Sequence, residues 1–368
     1  MKGKTFIVIA LITGFILYSI SMSTMAAQQE KKEESKIIII PDTVKSIFKQ
    51  GTQTREPRLD IPFSIVWHIY LPASGNMHAV FYFKAKNADL GFIPLPQITE
   101  PAEEKKEEEK AQPPATETPA LLQTSGHVFL QFNWMEKGAV KEVAKEVYIP
   151  LNLQTEGESY DPEKEELYST GYPLPPGDYL LSMAIASLDL KKIGTQYFEF
   201  SLPDGLSFTE ELGTTPIFSV KQIEKMEAAE TKAEIHQGFF TYSFLQITPC
   251  IENVFSVGES LDIFFYVFGA QPNEQGKFDI EVSYEVLKGE ERIIRYAKAQ
   301  YDTPIISQPL PMKQTVIITT EKEGQKIEEK EQRDVDPGQY TLNIEIKDNV
   351  TGRSVVKSVA FEVKEKSS

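Results

Sequence analysis

The sequence has a single cysteine, and its basic side chains are outnumbered by acidic ones. Each of these features excludes a class of protein. Cys250 is the only cysteine among 368 residues, so no intramolecular disulfide can form and the fold must depend on packed cores. There are 38 Lys and Arg residues against 54 Asp and Glu, a formal net charge of -16. A chain this acidic repels phosphate backbones, and no Lys/Arg cluster is interleaved with aromatic residues. We therefore expect no nucleic-acid partner, and we expect Cys250 to be a buried small residue rather than a reactive thiol.

The motifs of common enzyme classes are also missing. HExxH, GxSxG, a Walker loop, a dinucleotide fingerprint, a CxxC pair and a DxDxDG calcium loop do not occur. His68 and His78 could meet across a hairpin, but no third metal ligand is indicated. We expect a protein that is not an enzyme and that holds neither metal nor cofactor. A catalytic carboxylate pair stays open as an alternative, because 54 acidic residues provide many candidates.

The first residues have the pattern of an export signal. Lys2 and Lys4 precede an apolar run over residues 6–20, and residues 24–27 (TMAA) offer small side chains to a peptidase. The alternative is an uncleaved membrane anchor, for which fifteen residues are short against a hydrocarbon core of about 30 Å. We expect residues 1–27 to be a cleaved signal peptide. The mature protein would then be periplasmic or extracellular, touching the membrane only if the signal segment is retained.

Most of the remaining chain alternates apolar and polar residues with the period of a β-strand. The alternation is clearest over residues 278–286, 340–346 and 359–363, where every second residue is large and apolar. Residues 220–236 (VKQIEKMEAAETKAEIH) form a long stretch of good helix formers, and this stretch predicts one helix. The pattern as a whole predicts an all-β fold.

The chain also repeats itself, which indicates a duplicated domain. Residues 126–134 (GHVFLQFNW) align with residues 276–284 (GKFDIEVSY), and residues 174–181 (LPPGDYLL) align with residues 335–342 (VDPGQYTL). Each copy then closes on a short strand, FEF at residues 198–200 and FEV at residues 361–363.

These correspondences set the predicted domain boundaries. The predicted organisation is an N-terminal spacer at residues 28–57, a first domain at 58–203, a connector with a helix at 204–237, and a second domain at 238–365. An acidic, Pro-rich insertion at about residues 100–119 interrupts the first domain. It cannot bury enough apolar area to offset its ordering entropy, so we expect a disordered loop, with an interaction role as the alternative.

A Pro-Gly-x-Tyr motif opens a strand in each copy. The six residues concerned are Pro176, Gly177 and Tyr179 in the first copy, and Pro337, Gly338 and Tyr340 in the second. Such a motif predicts a tyrosine corner, in which the Pro-Gly pair turns the chain and the phenol bonds to backbone a few residues upstream. The closing third of each copy resembles bacterial immunoglobulin-like or fibronectin-III-like domains. The last thirty residues are also similar to the tail domains of exported GWxTD-motif proteins, although that motif is absent here.

The resemblance implies two tandem antiparallel β-sandwiches and transfers no functional residue. Two strand segments, residues 80–83 (VFYF) and 263–268 (IFFYVF), are apolar on both alternating faces, whereas a sandwich strand buries one face. Either these faces are covered internally, which we favour, or they form an exposed patch that binds another protein. The candidate binding face would be Trp67, Phe264, Tyr266 and Phe268.

The function predicted from the sequence is that of an exported interaction or structural protein of the cell envelope. It would bind another envelope or extracellular protein through sandwich loops or the aromatic strand face. The first alternative is a carbohydrate-binding or adhesive module, because aromatic side chains on a sandwich can stack on sugars. The second is a hydrolase with an unrecognised carboxylate pair.

Overall fold

A computed structural model describes residues 40–95, 121–322 and 325–366 of the chain. Antiparallel strands dominate these residues, so the prediction of an all-β, sandwich-type fold is confirmed. The predicted signal peptide, the start of the spacer and the acidic insertion lie outside the described residues.

The first half of the chain contains two short helices and eight strands. In chain order these are α1 (Asp42–Thr54), β1 (Ser64–Ala73), β2 (Asn76–Lys86), α2 (Asn87–Leu90), β3 (Ile93–Pro94), β4 (Leu121–Glu136), β5 (Ala139–Glu156), β6 (Glu165–Leu174), β7 (Gly177–Ser187) and β8 (Ile193–Leu202). Single 3-10 turns occupy Gly157–Ser159 and Gly205–Ser207.

The second half consists of strands. These are β9 (Gly213–Thr214), β10 (Phe218–Lys225), β11 (His236–Gln237), β12 (Phe240–Tyr242), β13 (Leu245–Pro249), β14 (Val254–Ser256), β15 (Asp262–Phe268), β16 (Ile280–Lys288), β17 (Glu291–Arg295), β18 (Ala299–Tyr301), β19 (Ile305–Gln308), β20 (Lys313–Lys322), β21 (Gln325–Asp334), β22 (Gly338–Asp348) and β23 (Ser354–Lys364). β20 and β21 form a two-stranded hairpin of their own.

The first sandwich packs the sheet β1-β2-β6-β11 against the sheet built from β5, β4, β7 and β8. Its core is aliphatic and aromatic: Phe81 on β2 and Phe132 on β4 are fully buried, together with Leu181 on β7. The second sandwich packs the sheet β12-β13-β10-β15-β19 against the sheet β14-β23-β22-β16-β17. Phe265 on β15 and Tyr284 on β16 lie in that second core.

A third core joins the two sandwiches face to face. Val80 and Tyr82 on β2 pack against Phe218, Ile247 and Phe264 of the second sandwich, and all five side chains are buried. Successive residues of a strand point to opposite faces, so a strand buried in two cores is apolar at every position. The continuous apolar runs on β2 and β15 therefore mark the inner sheets of a stack of four, and internal covering, the favoured alternative, is correct.

Helix α1 lies in the stretch that the sequence assigned to a spacer. Val44 and Phe48 pack on Phe129 of β4 and Ala184 of β7, covering the outer face of the first sandwich. Arg55 ends the helix in the left-handed conformation and its guanidinium contacts Glu199 of β8 at 3.0 Å. Residues 42–54 are thus a docked structural element rather than a linker.

The prediction of a helix over residues 220–236 is wrong. Residues 218–225 form strand β10, which pairs with β13 on one side and with β15 on the other. Burial of Phe218 and Val220 in the third core outweighs the helix propensity of the polar residues that follow. The connector also splits between the sandwiches, because β9 and β10 join the second one while β11 pairs with β6 of the first.

Both Pro-Gly-x-Tyr motifs form the same tight bend. The Tyr179 hydroxyl donates to the Pro175 carbonyl at 2.7 Å, and the Tyr340 hydroxyl donates to the Asp336 carbonyl. Pro176 and Pro337 precede Gly177 and Gly338, which have φ values of 150° and 155°. A Cβ on Gly177 would lie 2.3 Å from the ring of Trp134, which stacks on Tyr179 with centroids 4.4 Å apart. In the first corner the chain therefore turns at Gly177, and the Trp134 ring packs directly against the same glycine.

Candidate functional site

A cleft of about 500 Å³ opens where the first sandwich meets the second. It is bounded by the β1–β2 turn, the end of β6, the loop of residues 230–236 and strand β12 with the turn that follows it. The two turns are tight because Ser74 and Gly75 in one, and Ser243 in the other, adopt positive φ angles. Elements of both sandwiches and the loop between β10 and β11 are therefore needed to form this cleft.

His78 and Gly171 form the floor of the cleft. His78 lies near the start of β2, and Gly171 lies on the neighbouring strand β6, opposite Val80. A Cβ at residue 171 would lie 2.5 Å from Nε2 of His78, so only glycine leaves room for the imidazole in this position. Burial lowers the pKa of His78 to about 4, although Glu230 opposes the shift, and the ring is therefore neutral at pH 7.

Glu230 forms part of the wall of the cleft. Its Oε2 accepts a hydrogen bond from the Thr241 hydroxyl at 2.8 Å and lies 3.0 Å from Nε2 of His236. His236 also packs its ring against Phe239, with centroids 4.7 Å apart. The carboxylate thus ties the loop before β11 to both β11 and β12.

Tyr242 supplies an oriented aromatic ring beside these polar groups. Its hydroxyl donates to the Pro72 carbonyl at 2.6 Å, which links β12 of the second sandwich to the end of β1 in the first. Its ring centroid lies 6.4 Å from that of His78. Burial raises the pKa of Tyr242 to about 12, so the phenol stays protonated and keeps its donor role at neutral pH.

His68 and His78 do not meet. In the β1–β2 hairpin His68 is opposite Phe81 and His78 is opposite Leu71, which places the two imidazoles on opposite faces of the sheet. His68 stacks against Phe81 and Phe200 instead, with ring centroids 5.0 and 4.9 Å apart. Over the residues with described positions, no three His, Cys, Asp or Glu side chains are grouped to hold a metal ion.

The candidate aromatic binding face does not form a single surface: Trp67 lies on β1 of the first sandwich, and the other three residues lie on β15 of the second. Phe264 is 1% exposed in the third core, and Phe268 is 4% exposed and stacks on Phe208. Tyr266 is half-buried against the first core, and Trp67 packs its ring on Tyr82 and Phe218. The four residues are therefore part of the contact between the two sandwiches, because sheet stacking turns an apolar strand face inward.

Two of the cleft residues that the sequence reasoning missed, Glu230 and His236, come from the segment predicted as a helix. Glu230 lies before strand β11, His236 begins that strand and Thr241 lies on β12, so the three side chains meet where β11 pairs with β6. One local signal was present: Gly171 interrupts an otherwise strand-like run, as glycine does where another group must approach closely. Cys250, by contrast, is buried as the sequence predicted.

Comparison with protein-family models found no match to this chain, and a search of curated proteins also found none. Across the described ranges, the helices are too short or too polar to cross a bilayer. The geometry of the cleft is therefore the main guide to function.

Proposed function

We propose that this chain is an exported, non-catalytic binding protein of the cell envelope, and that its ligand occupies the cleft between β6 and β12. The observation that carries the proposal is the convergence of both sandwiches on one cavity lined by polar side chains. Binding sites favour such junctions, where rigid elements hold a few polar groups around a concave surface.

The contacts around Glu230 give the cleft a fixed wall. Its Oε2 is engaged by both Thr241 and His236, so this carboxylate holds the loop in place before a ligand arrives. The loops at the rim of the cleft take over the role that the sequence suggested for the aromatic strand face. Those loops are the β1–β2 turn, the β12–β13 turn and residues 230–234.

The test compares retention of envelope material by the mature protein, residues 28–368, and by two variants. Thr231→Trp places a large side chain at an exposed position on the rim of the cleft, and Gln275→Trp places the same side chain on an exposed turn elsewhere. Solubilised envelope proteins and released glycans are offered separately. We expect the parent and Gln275→Trp to retain material from one fraction and Thr231→Trp to lose it.

Two outcomes count against the proposal. Equal retention by all three proteins would place binding outside the cleft. Shortened glycans or cleaved proteins after incubation with the parent would show a hydrolase, the alternative that the acidic composition leaves open. Circular dichroism of the three proteins checks that they share one fold.

A further inference from the structure

We infer that the cleft takes an uncharged polyhydroxylated ligand, a neutral sugar, an inference that rests on the binding function proposed above. Three properties of the cavity lead to this class: its size, the kind of polar groups around it, and the sign of the charge at its wall.

The size suits a small molecule. Ligand pockets of this kind span roughly 300–1,000 Å³, and the cleft holds about 500 Å³. Its base is closed by Gly171 and by the His78 imidazole, which occupies the space that a Cβ on residue 171 would fill. Such a cavity can enclose one or two sugar rings, whereas a folded partner would reach only its rim.

The polar groups pair donors with acceptors. Hydroxyl-bearing residues line the cleft at Ser74, Thr231, Thr241 and Ser243, and His78 and His236 also line it. Each hydroxyl can donate one hydrogen bond and accept two, and a neutral imidazole can do one of each. A ligand whose own groups both donate and accept at neighbouring carbons, as sugar hydroxyls do, matches this lining.

The charge at the wall disfavours an anion. Two acidic residues, Glu230 and Glu234, line the cleft together with one lysine, the exposed Lys232 at the rim. The whole chain also carries a net charge of -16. Phosphates, uronates and other anions are therefore repelled. A carboxylate such as Glu230 still accepts strong hydrogen bonds from uncharged hydroxyl groups.

An oriented ring completes the site. Tyr242 lines the cavity with its hydroxyl bonded to the Pro72 carbonyl, so the aromatic plane is held in place before a ligand arrives. The C–H face of a sugar ring packs on such a plane, and Pro72 and Pro173 extend the apolar surface on either side.

The experiment uses the mature protein on a glycan array that carries both neutral and acidic glycans. The strongest soluble hit is then titrated by calorimetry against four proteins: the parent, Glu230→Gln, Thr231→Trp and Glu227→Gln. Glu227 is exposed and outside the cleft, so its variant is the matched control for loss of one carboxylate. Glu230→Gln keeps the shape of the side chain and removes its charge.

We expect a neutral glycan to bind the parent and Glu227→Gln equally. Glu230→Gln should bind it at least tenfold more weakly, because a hydrogen bond to a charged group is stronger than one to a neutral amide. Thr231→Trp should abolish binding by occupying the mouth. Thr231 is an exposed loop residue, so this variant keeps the test decisive if Glu230→Gln is poorly folded.

Four results would overturn the inference. If acidic glycans bound as tightly as neutral ones, the argument from the negative charge of the cleft would fail. Glycan binding that survives both cleft substitutions would place the sugar elsewhere. Retention of envelope proteins that is lost in Thr231→Trp, with no glycan bound by the parent, would keep the proposed binding function and reject the sugar. Material retained equally by all variants would place binding outside the cleft and reject the inference together with the proposed site.

Discussion

Gly171 and His78 fit together across two neighbouring strands, because a Cβ on residue 171 would lie 2.5 Å from Nε2 of the histidine. We expect Gly171→Ala to push the imidazole out of place and to lower the free energy of unfolding by about 1–3 kcal/mol, the usual cost of overpacking. Urea unfolding of the single variant measures this loss.

The double variant Gly171→Ala/His78→Ala provides the control for that prediction. Removing the imidazole opens the space that the added methyl needs, so the two substitutions should be strongly non-additive. Additive losses would mean that the alanine clashes with backbone, such as the Ala79 carbonyl 3.4 Å away, and not with the histidine.

The two tyrosine corners should contribute similarly to stability. Tyr179→Phe and Tyr340→Phe each remove one hydroxyl that donates to a carbonyl four residues earlier, leaving that acceptor without its partner. We expect each variant to lose about 0.5–1.5 kcal/mol of unfolding free energy. Chemical denaturation gives the values, and a near-zero change at either site would show that water replaces the bond there.

Gly177→Ala should be the more damaging change at the first corner. The residue has a φ of 150° and its Cβ would lie 2.3 Å from the Trp134 ring. We expect a loss larger than that of Tyr179→Phe, accompanied by an altered tryptophan fluorescence spectrum as Trp134 is displaced. An unchanged spectrum would contradict the packing of Trp134 on this glycine.

Acidification should destabilise the fold through His68 and His78. Burial lowers the pKa of each from 6.5 to about 4, so the unfolded chain binds protons that the native chain refuses. Above pH 6.5 these two histidines do not change the free energy of unfolding. Between pH 6.5 and pH 4 the free energy of unfolding decreases as the pH decreases, by at most about 1.4 kcal/mol per pH unit for each histidine. Below pH 4 this contribution is constant.

The variant His68→Phe isolates one of the two contributions. The ring already lies among Phe81, Phe198 and Phe200, so phenylalanine suits the surroundings and cannot titrate. We expect its unfolding free energy to fall less steeply than that of the parent between pH 6.5 and 4. Parallel curves for the parent and the variant would disprove the assignment.

The two sandwiches should unfold together. The core formed by Val80, Tyr82, Phe218 and Phe264 couples them, and Phe264→Ala should cost about 3–5 kcal/mol of stability. We expect one calorimetric transition for the parent and two for Phe264→Ala, because the cavity weakens the contact between sandwiches more than either inner core. Two transitions in the parent would contradict this coupling.

The local features of the chain could be predicted because their causes are local. Alternation along residues 278–286 and 340–346 marks strands wherever one face is buried, and the Pro-Gly-x-Tyr motifs make their bend with neighbours only four residues away. The burial of Cys250 likewise follows from its residue type and apolar neighbourhood.

The features that depend on distant partners could not be predicted. The propensities of residues 220–236 predict a helix, but residues 218–225 form a strand, because β13 and β15 lie on either side of them. Helix α1 gives no strong signal alone, since its stability comes from docking on Phe129 and Ala184. The alternation of apolar and polar residues indicates that one face of a strand is buried, but it does not identify the element that covers that face.

By itself, then, the sequence determined that strands dominate the fold and that two tyrosine corners form, because these features arise from side-chain period and short-range hydrogen bonds. Only the tertiary structure decided that the apolar faces of β2 and β15 cover one another and that Glu230, His78 and Tyr242 surround one cleft. The physical reason is that these contacts join residues as far apart in sequence as Val80 and Phe264, and their pairing is selected by burial of whole sheets rather than by any local pattern.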